Sequence, residues 1–154
     1  MEKKYDSLSL KNQLCFPIYL CSKEIIRKYT PLLNKLNLTY TQYIVMMYFW
    51  EVKTSNVKDI SKALLLDSGT LTPLLKKLEI KGYVTRQRSS KDERNLNVTI
   101  TSKGLELKDK ALNIPKEVAK CVNISKEETK ILYSLIYKVL LNIKEEEQIW
   151  QLLM

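Results

Sequence analysis

Histidine is absent from this 154-residue chain, and several chemistries go with it. No Ser-His-Asp triad, Cys-His dyad or imidazole metal site can be assembled, which excludes the commonest hydrolase and zinc-enzyme plans. Glycine is scarce, at three residues, and proline at four, so helices are expected to dominate. The three cysteines, Cys15, Cys21 and Cys121, are an odd and sparse set, unlike the dense even framework of a secreted miniprotein, and fit a reducing cytoplasm. No apolar run approaches the length that spans a bilayer. The one stretch that resembles a signal peptide, residues 14–21 behind Lys3, Lys4 and Lys11, is interrupted by Pro17 and carries Tyr19 and Leu20 where small residues belong. The sequence therefore reads as cytoplasmic, with no membrane partner, and nothing in it calls for a cofactor.

What the chain has in excess is positive charge: 26 Lys+Arg against 17 Asp+Glu, a net +9 that suggests a polyanionic partner. The excess is uneven. Residues 1–52 hold 7 basic and 4 acidic residues, residues 53–103 hold 11 and 5, and residues 104–154 hold 8 and 8. The middle third is the expected polyanion-binding face, and the neutral last third reads as a scaffold. No internal repeat or low-complexity linker divides the chain, and its length suits a single domain with a full core.

Leu10, Leu14, Ile18, Cys21 and Ile25 recur at helical spacing up to Thr30-Pro31, where the proline is expected to end one helix and to open a short second one through Leu36. Thr39 with Gln42 forms a capping box ahead of a helix (Tyr43, Ile44, Met46, Met47, Phe49, Trp50) that is apolar nearly all round and reads as buried. A short helix over residues 57–65 follows, with Ile60, Ala63 and Leu64 inward. Asp67 then caps another that runs to Gly82. Residues 83–88 and 96–100 alternate with period two around a charged loop, Ser89-Ser90-Lys91-Asp92-Glu93, which makes a hairpin with a basic tip.

The order helix, turn, helix, basic hairpin predicts a mainly α chain with a small β-hairpin, a winged helix-turn-helix that binds double-stranded DNA. On the second helix, Leu71, Leu74, Leu75 and Leu78 fall on one stripe. Gly69, Thr72, Pro73 and Lys76 lie opposite, flanked by Ser68, Thr70 and Lys77, a set of small hydroxyls and amines that suits a major groove. Arg86, Arg88, Lys91 and Arg94 lie on or beside the wing, where guanidinium and ammonium groups can meet phosphate or enter a narrow minor groove.

In the last third, Ser125 with Glu128 opens a long helix whose stripe of Leu132, Leu135, Ile136, Val139, Leu140 and Ile143 needs a cover. That cover is either the chain's own domain or a second subunit, and a two-fold dimer would set two wings on one pseudo-palindromic duplex. The acidic run Glu145-Glu146-Glu147 reads as a solvated end. Cys15 and Cys21, six residues apart on one helix, lie about 9 Å apart along the axis and cannot bridge each other. Cys21 reads as a small hydrophobe. Pro17, two residues past Cys15, means that the helix either starts there or bends, and an amide-rich turn would favour a thiolate. Without His, its donors would be amides, Lys, Arg or tyrosine hydroxyls, and nine of the thirteen aromatics are Tyr.

Leu14-Cys15-Phe16-Pro17-Ile18-Tyr19, Tyr29-Thr30-Pro31-Leu32-Leu33, Leu38-Thr39-Tyr40-Thr41-Gln42-Tyr43, the run from Leu66-Asp67-Ser68-Gly69 to Lys76-Lys77-Leu78-Glu79, and Asp92-Glu93-Arg94 resemble the MarR family of transcription factors, specifically its OhrR-type organic-hydroperoxide sensors. The resemblance runs from about residue 10 to residue 115. It implies one MarR-type domain over residues 1–154, with dimerisation helices at 1–36 and 115–154 and a DNA-binding lobe at 37–104. It implies a homodimeric repressor rather than an enzyme, with an organic hydroperoxide as inducer. Cys15 would be the peroxidatic thiol; Tyr29 and Tyr40 of the other subunit would hydrogen-bond it, and Tyr19 would line the same pocket, with Phe16, Ile18 and Met46 favouring apolar peroxides. Asp67 and Asp92 would support the helix cap and the wing, and Arg94 would probe the minor groove. Two-cysteine sensors of this type carry a resolving cysteine in the carboxy-terminal region and one-cysteine sensors use a small external thiol, so Cys121 is either the resolving thiol, bridging to Cys15 between subunits, or a buried structural residue. Two rival readings are a MarR regulator that answers a phenolic ligand or a general oxidant, and a thiol peroxidase.

Overall fold

A computed structural model describes residues 3–88 and 96–143. After two short 3-10 turns at Lys3–Leu8 and Leu10–Asn12, the order is α1 (Cys15–Asn34), α2 (Tyr40–Val52), β1 (Thr54–Asn56), α3 (Val57–Leu64), α4 (Ser68–Ile80), β2 (Val84–Arg88), β3 (Leu96–Ile100), α5 (Ser102–Ala111), α6 (Ile114–Val122) and α7 (Lys126–Ile143). Among the described residues no helix is long and apolar enough to cross a membrane.

Helix α1 departs from the expectation that Thr30-Pro31 ends it: the helix runs through Pro31 to Asn34. Proline there removes one backbone hydrogen bond, but the last turn is held from below by Leu33, which is fully buried, and by the half-buried Leu32. Termination comes instead from Asn37, whose φ of 54° is left-handed. The amide of Leu38 returns to the carbonyl of Leu33 and that of Asn37 to Asn34, which pairs the orphan carbonyls of the helix end. At its other end, the alternative left open by Pro17 resolves as a helix that starts at Cys15.

The capping boxes form as expected. Thr39 Oγ1 accepts from the Gln42 amide at 3.3 Å while Gln42 Oε1 accepts from the Thr39 amide at 3.2 Å. Ser125 and Glu128 repeat the arrangement before α7. Helix α2 supplies the middle of the core through Tyr43, Val45, Met46 and Phe49, although Met47 faces solvent. Helix α3 ends at a left-handed Leu65, which makes the tight turn into α4. Helix α4 ends where expected: Gly82 sits at φ 74°, and the amides of Gly82 and Tyr83 return to the carbonyls of Glu79 and Leu78.

The sheet has one strand more than the hairpin. β1 pairs antiparallel with β3, giving the order β1-β3-β2. Three residues are too short to show a period-two pattern, so sequence alone did not reveal β1. Helices α5 and α6 were likewise hidden within the neutral last third, although Thr101, which caps α5, and Pro115, in the first turn of α6, are ordinary start signals. Gly104 lets α5 lie close against the sheet, since a Cβ there would fall 2.3 Å from the carbonyl oxygen of Tyr83.

Helix α7 carries most of its apolar stripe on an open face. None of its described residues is buried, and Leu132, Leu135, Ile136 and Ile143 are exposed, the last by 74%. Val139 and Leu140 are half-buried, and the rest of the stripe is open within one chain. Cys21 and Cys121 are also exposed within one chain, so the chain alone does not bury Cys121.

Candidate nucleic-acid interface and thiol site

Helix α4 separates its faces as the sequence predicts. Leu71, Leu74, Leu75 and Leu78 are buried. Ser68, Thr70, Thr72, Lys76 and Lys77 are exposed on the other side. Asp67 fixes the start of the helix: one carboxylate oxygen accepts from the Thr70 amide and the other from the Thr70 hydroxyl, both at 2.8 Å. These bonds hold the Asp67 carboxyl below the usual carboxylate range. Because its proton is given to Asp67, the Thr70 hydroxyl presents only acceptor lone pairs outward.

The wing arginines divide into two kinds. Arg86, expected among the DNA contacts, is turned inward: its amide donates to Glu79 Oε1 at 3.0 Å and its guanidinium to Glu79 Oε2 at 2.8 and 2.7 Å, leaving the side chain only 19% exposed. This fork ties the wing to α4 and pulls the Glu79 carboxyl below its ordinary pKa. Arg88, two residues along and paired in register with Leu96, is exposed. Lys91, Asp92 and Arg94 lie outside the described residues.

Cys15 is the first residue of α1 and is exposed, with Leu14, Phe16, Ile18 and Tyr19 exposed around it. Tyr19, one turn on, shares its face of the helix, and its ring lies 6.0 Å from Lys23 Nζ. Tyr29 and Tyr40 come together elsewhere, at the opposite end of α1, with ring centroids 4.9 Å apart. Sequence reasoning missed the third member of this group. Tyr43, only 3% exposed, lies 5.9 Å from Tyr29 and packs its other edge on Trp50, whose indole N–H donates to the Gly104 carbonyl at 2.9 Å. Its position one turn after Tyr40 was the available signal, masked by the uniformly apolar look of α2. Burial pushes the pKa of all three phenols up, helped at Tyr29 by Tyr40 and at Tyr43 by both neighbours, so at neutral pH they are protonated donors.

Within one chain the thiol and the tyrosines are apart. Cys15 and Tyr29 are 14 residues apart on one helix, about 21 Å along its axis but only about 40° around it. Met46, expected beside the thiol, is fully buried in the core. Cys121 lies on α6 with its sulfur 3.6 Å from the Glu117 carbonyl oxygen. Among the described residues no three His, Cys, Asp or Glu side chains converge as a metal site.

The chain is similar to known proteins over most of its length. Residues 27–111 match the family model described as transcriptional regulator SarA/Rot. The organic hydroperoxide resistance transcriptional regulator of Bacillus subtilis is 46% identical over 140 residues, covering 91% of this chain and 95% of that protein. The HTH-type transcriptional regulator SarZ of Staphylococcus saprophyticus is 52% identical over 118 residues, 77% of this chain and 80% of SarZ. Among solved structures, overoxidized AbfR bound to DNA superposes with a TM-score of 0.74 at 32% identity, covering 92% of this chain and 99% of that one. Reduced AbfR bound to DNA gives the same TM-score and identity, at 91% and 98% coverage.

Proposed function

Because the chain belongs to the SarA/Rot family of MarR-type winged-helix transcriptional regulators, of the organic-hydroperoxide-resistance kind, we propose that it is a cytoplasmic homodimeric repressor that leaves its operator when an organic hydroperoxide oxidises Cys15. The observation that carries this reading is the placement of Cys15 and Tyr29 on one face of α1. Two copies of α1 packed antiparallel about an axis near Ser22, midway between them, bring each Cys15 beside the Tyr29 and Tyr40 of the other copy. The uncovered α7 stripe supplies the apolar area such a dimer needs.

The chemistry balances within that site. The Cys15 thiolate sulfur attacks one peroxide oxygen, an S–O bond forms as the O–O bond breaks, and the departing alkoxide takes a proton to leave as the alcohol. Sulfur loses two electrons and the peroxide gains them, so the product is a sulfenic acid. Neutral Tyr29 and Tyr40 hydroxyls donate to the thiolate before the reaction, and Tyr19, Phe16 and Ile18 form an apolar approach that suits alkyl or lipid peroxides. Cys121, exposed on α6, is the candidate resolving thiol, and a dimer-sized band on a non-reducing gel after peroxide treatment is the expected outcome.

On DNA, Ser68, Thr70, Thr72, Lys76 and Lys77 face the major groove, Arg88 and Lys91 take phosphates, and Arg94 enters the minor groove. Arg86 serves the wing from within. Fluorescence anisotropy of a labelled pseudo-palindromic operator, titrated with and without cumene hydroperoxide, tests the whole reading. Release that persists in Cys15→Ser would instead favour a regulator whose signal is a phenolic ligand or another oxidant.

A further inference from the structure

Gln42 is the one buried polar side chain among the described residues, and its surroundings tie the tyrosines to α4. Lys81, which caps the C-terminal end of α4, donates from Nζ to Gln42 Oε1 at 2.9 Å and to the carbonyl oxygen of Asn37. Gln42 Oε1 also accepts the Thr39 amide within the capping box that starts α2. Two residues on, the Tyr83 hydroxyl donates to the carbonyl of Leu36 at 3.3 Å in a buried position. Two ties thus run from the exit of α4 to the corner between α1 and α2, across 44 and 47 residues of sequence.

Both ends are stiff. The α1 exit is locked by left-handed Asn37, and the α4 exit by Gly82 and by Thr101, whose hydroxyl reaches the carbonyls of Gly82 and Tyr83, while Lys103 Nζ donates to the Lys81 carbonyl at 2.8 Å. Gln42 is flanked in sequence by the sensing group: Tyr40 opens α2 two residues before it, and Tyr43 follows it directly. The Lys81 amine is partly desolvated, and burial, then Lys77, lowers its pKa, as expected of a group committed to internal partners. We propose that Lys81 is a positioning residue that couples the Tyr29-Tyr40-Tyr43 corner to the recognition helix α4, so that displacement of the corner is transmitted to the DNA-reading face through the Lys81–Gln42–Asn37 clasp. The proposal rests on the peroxide-sensor reading for the origin of the displacement, but the mechanical link itself does not depend on which signal moves the tyrosines. A two-way coupling follows: what the corner does to α4, DNA bound to α4 does to the corner.

The test uses the full-length protein and a duplex carrying the region upstream of its own gene, with Lys81→Met, which keeps the apolar stem but no donor, and Lys81→Arg, which restores donors. Hydrogen exchange at the amides of residues 38–43 should slow about tenfold when wild type binds the duplex. Lys81→Met should bind the reduced-state duplex within about threefold of wild type yet lose that slowing, and Lys81→Arg should regain it. After cumene hydroperoxide, Lys81→Met should form the Cys15 sulfenic acid at the wild-type rate but retain about tenfold more DNA affinity than oxidised wild type. If Lys81→Met does not fold, Tyr83→Phe, which cuts only the tie to Leu36, should show the same loss at about threefold. Wild-type slowing and wild-type release in the variants would overturn the clasp. Wild type that stays on the duplex after Cys15 is oxidised would contradict the sensor reading alone, and the exchange measurement would still decide the clasp.

Discussion

The winged-helix half of this molecule is closed within one chain, and the half that holds Cys15 and α7 is not. From α2 to β3, apolar stripes are buried, helix ends are capped, and the wing is braced by the Arg86–Glu79 fork. At the start of α1 and along α7 the opposite holds: Phe16, Ile18 and Tyr19 stand in solvent, most of the α7 stripe is exposed, and Cys15 is about 21 Å along α1 from Tyr29. The difference teaches that the winged helix closes its own core, while the proposed thiol site is completed only by a second copy.

The contrast can be broken most severely in the reader's core. Phe49, fully buried, should cost about 4 kcal/mol of unfolding free energy on replacement by Ala, measured by denaturant titration. The same kind of change in the sensing half should act through assembly instead. Ile136→Asp, on the bare stripe, should leave the circular dichroism of the reader intact, shift sedimentation from dimer to monomer, and weaken operator binding by about a hundredfold as one half-site is lost. Within the reader, Lys76→Ala and Arg88→Ala should each reduce affinity by about tenfold and lower the slope of log affinity against log salt by about one, read by anisotropy between 50 and 200 mM salt. Arg86→Met is the finest discriminator: it should soften the wing, seen as faster exchange at β2, but leave that salt slope within about 0.3 of wild type, because the guanidinium is already spent on Glu79.

Most of the reader was legible in the sequence because its signals are local. Asp67 with Thr70, Thr39 with Gln42, the leucine stripe of α4 and the glycine after it act within a turn or two of themselves. What escaped depends on partners distant in sequence. Pro31 read as a stop because the pull of buried Leu33 on the last turn of α1 is a tertiary effect. Arg86 read as a DNA contact because a carboxylate seven residues back, across a turn, leaves no periodic trace. The Lys81 clasp spans 39 and 44 residues and has no local signature at all. Tyr29 and Tyr40 came from family resemblance, and the structure adds Tyr43, which connects them through Trp50 to α5.

The central claim, that each thiol is served by the tyrosines of the other copy, can be read directly from mixed dimers. One subunit carries Cys15→Ser; the other carries Tyr29→Phe and Tyr40→Phe. If the site is shared between copies, the single remaining Cys15 faces an intact pair of tyrosines, and the mixed dimer forms sulfenic acid with cumene hydroperoxide at the wild-type rate per thiol. A rate that stays at the level of the tyrosine double variant would contradict the account.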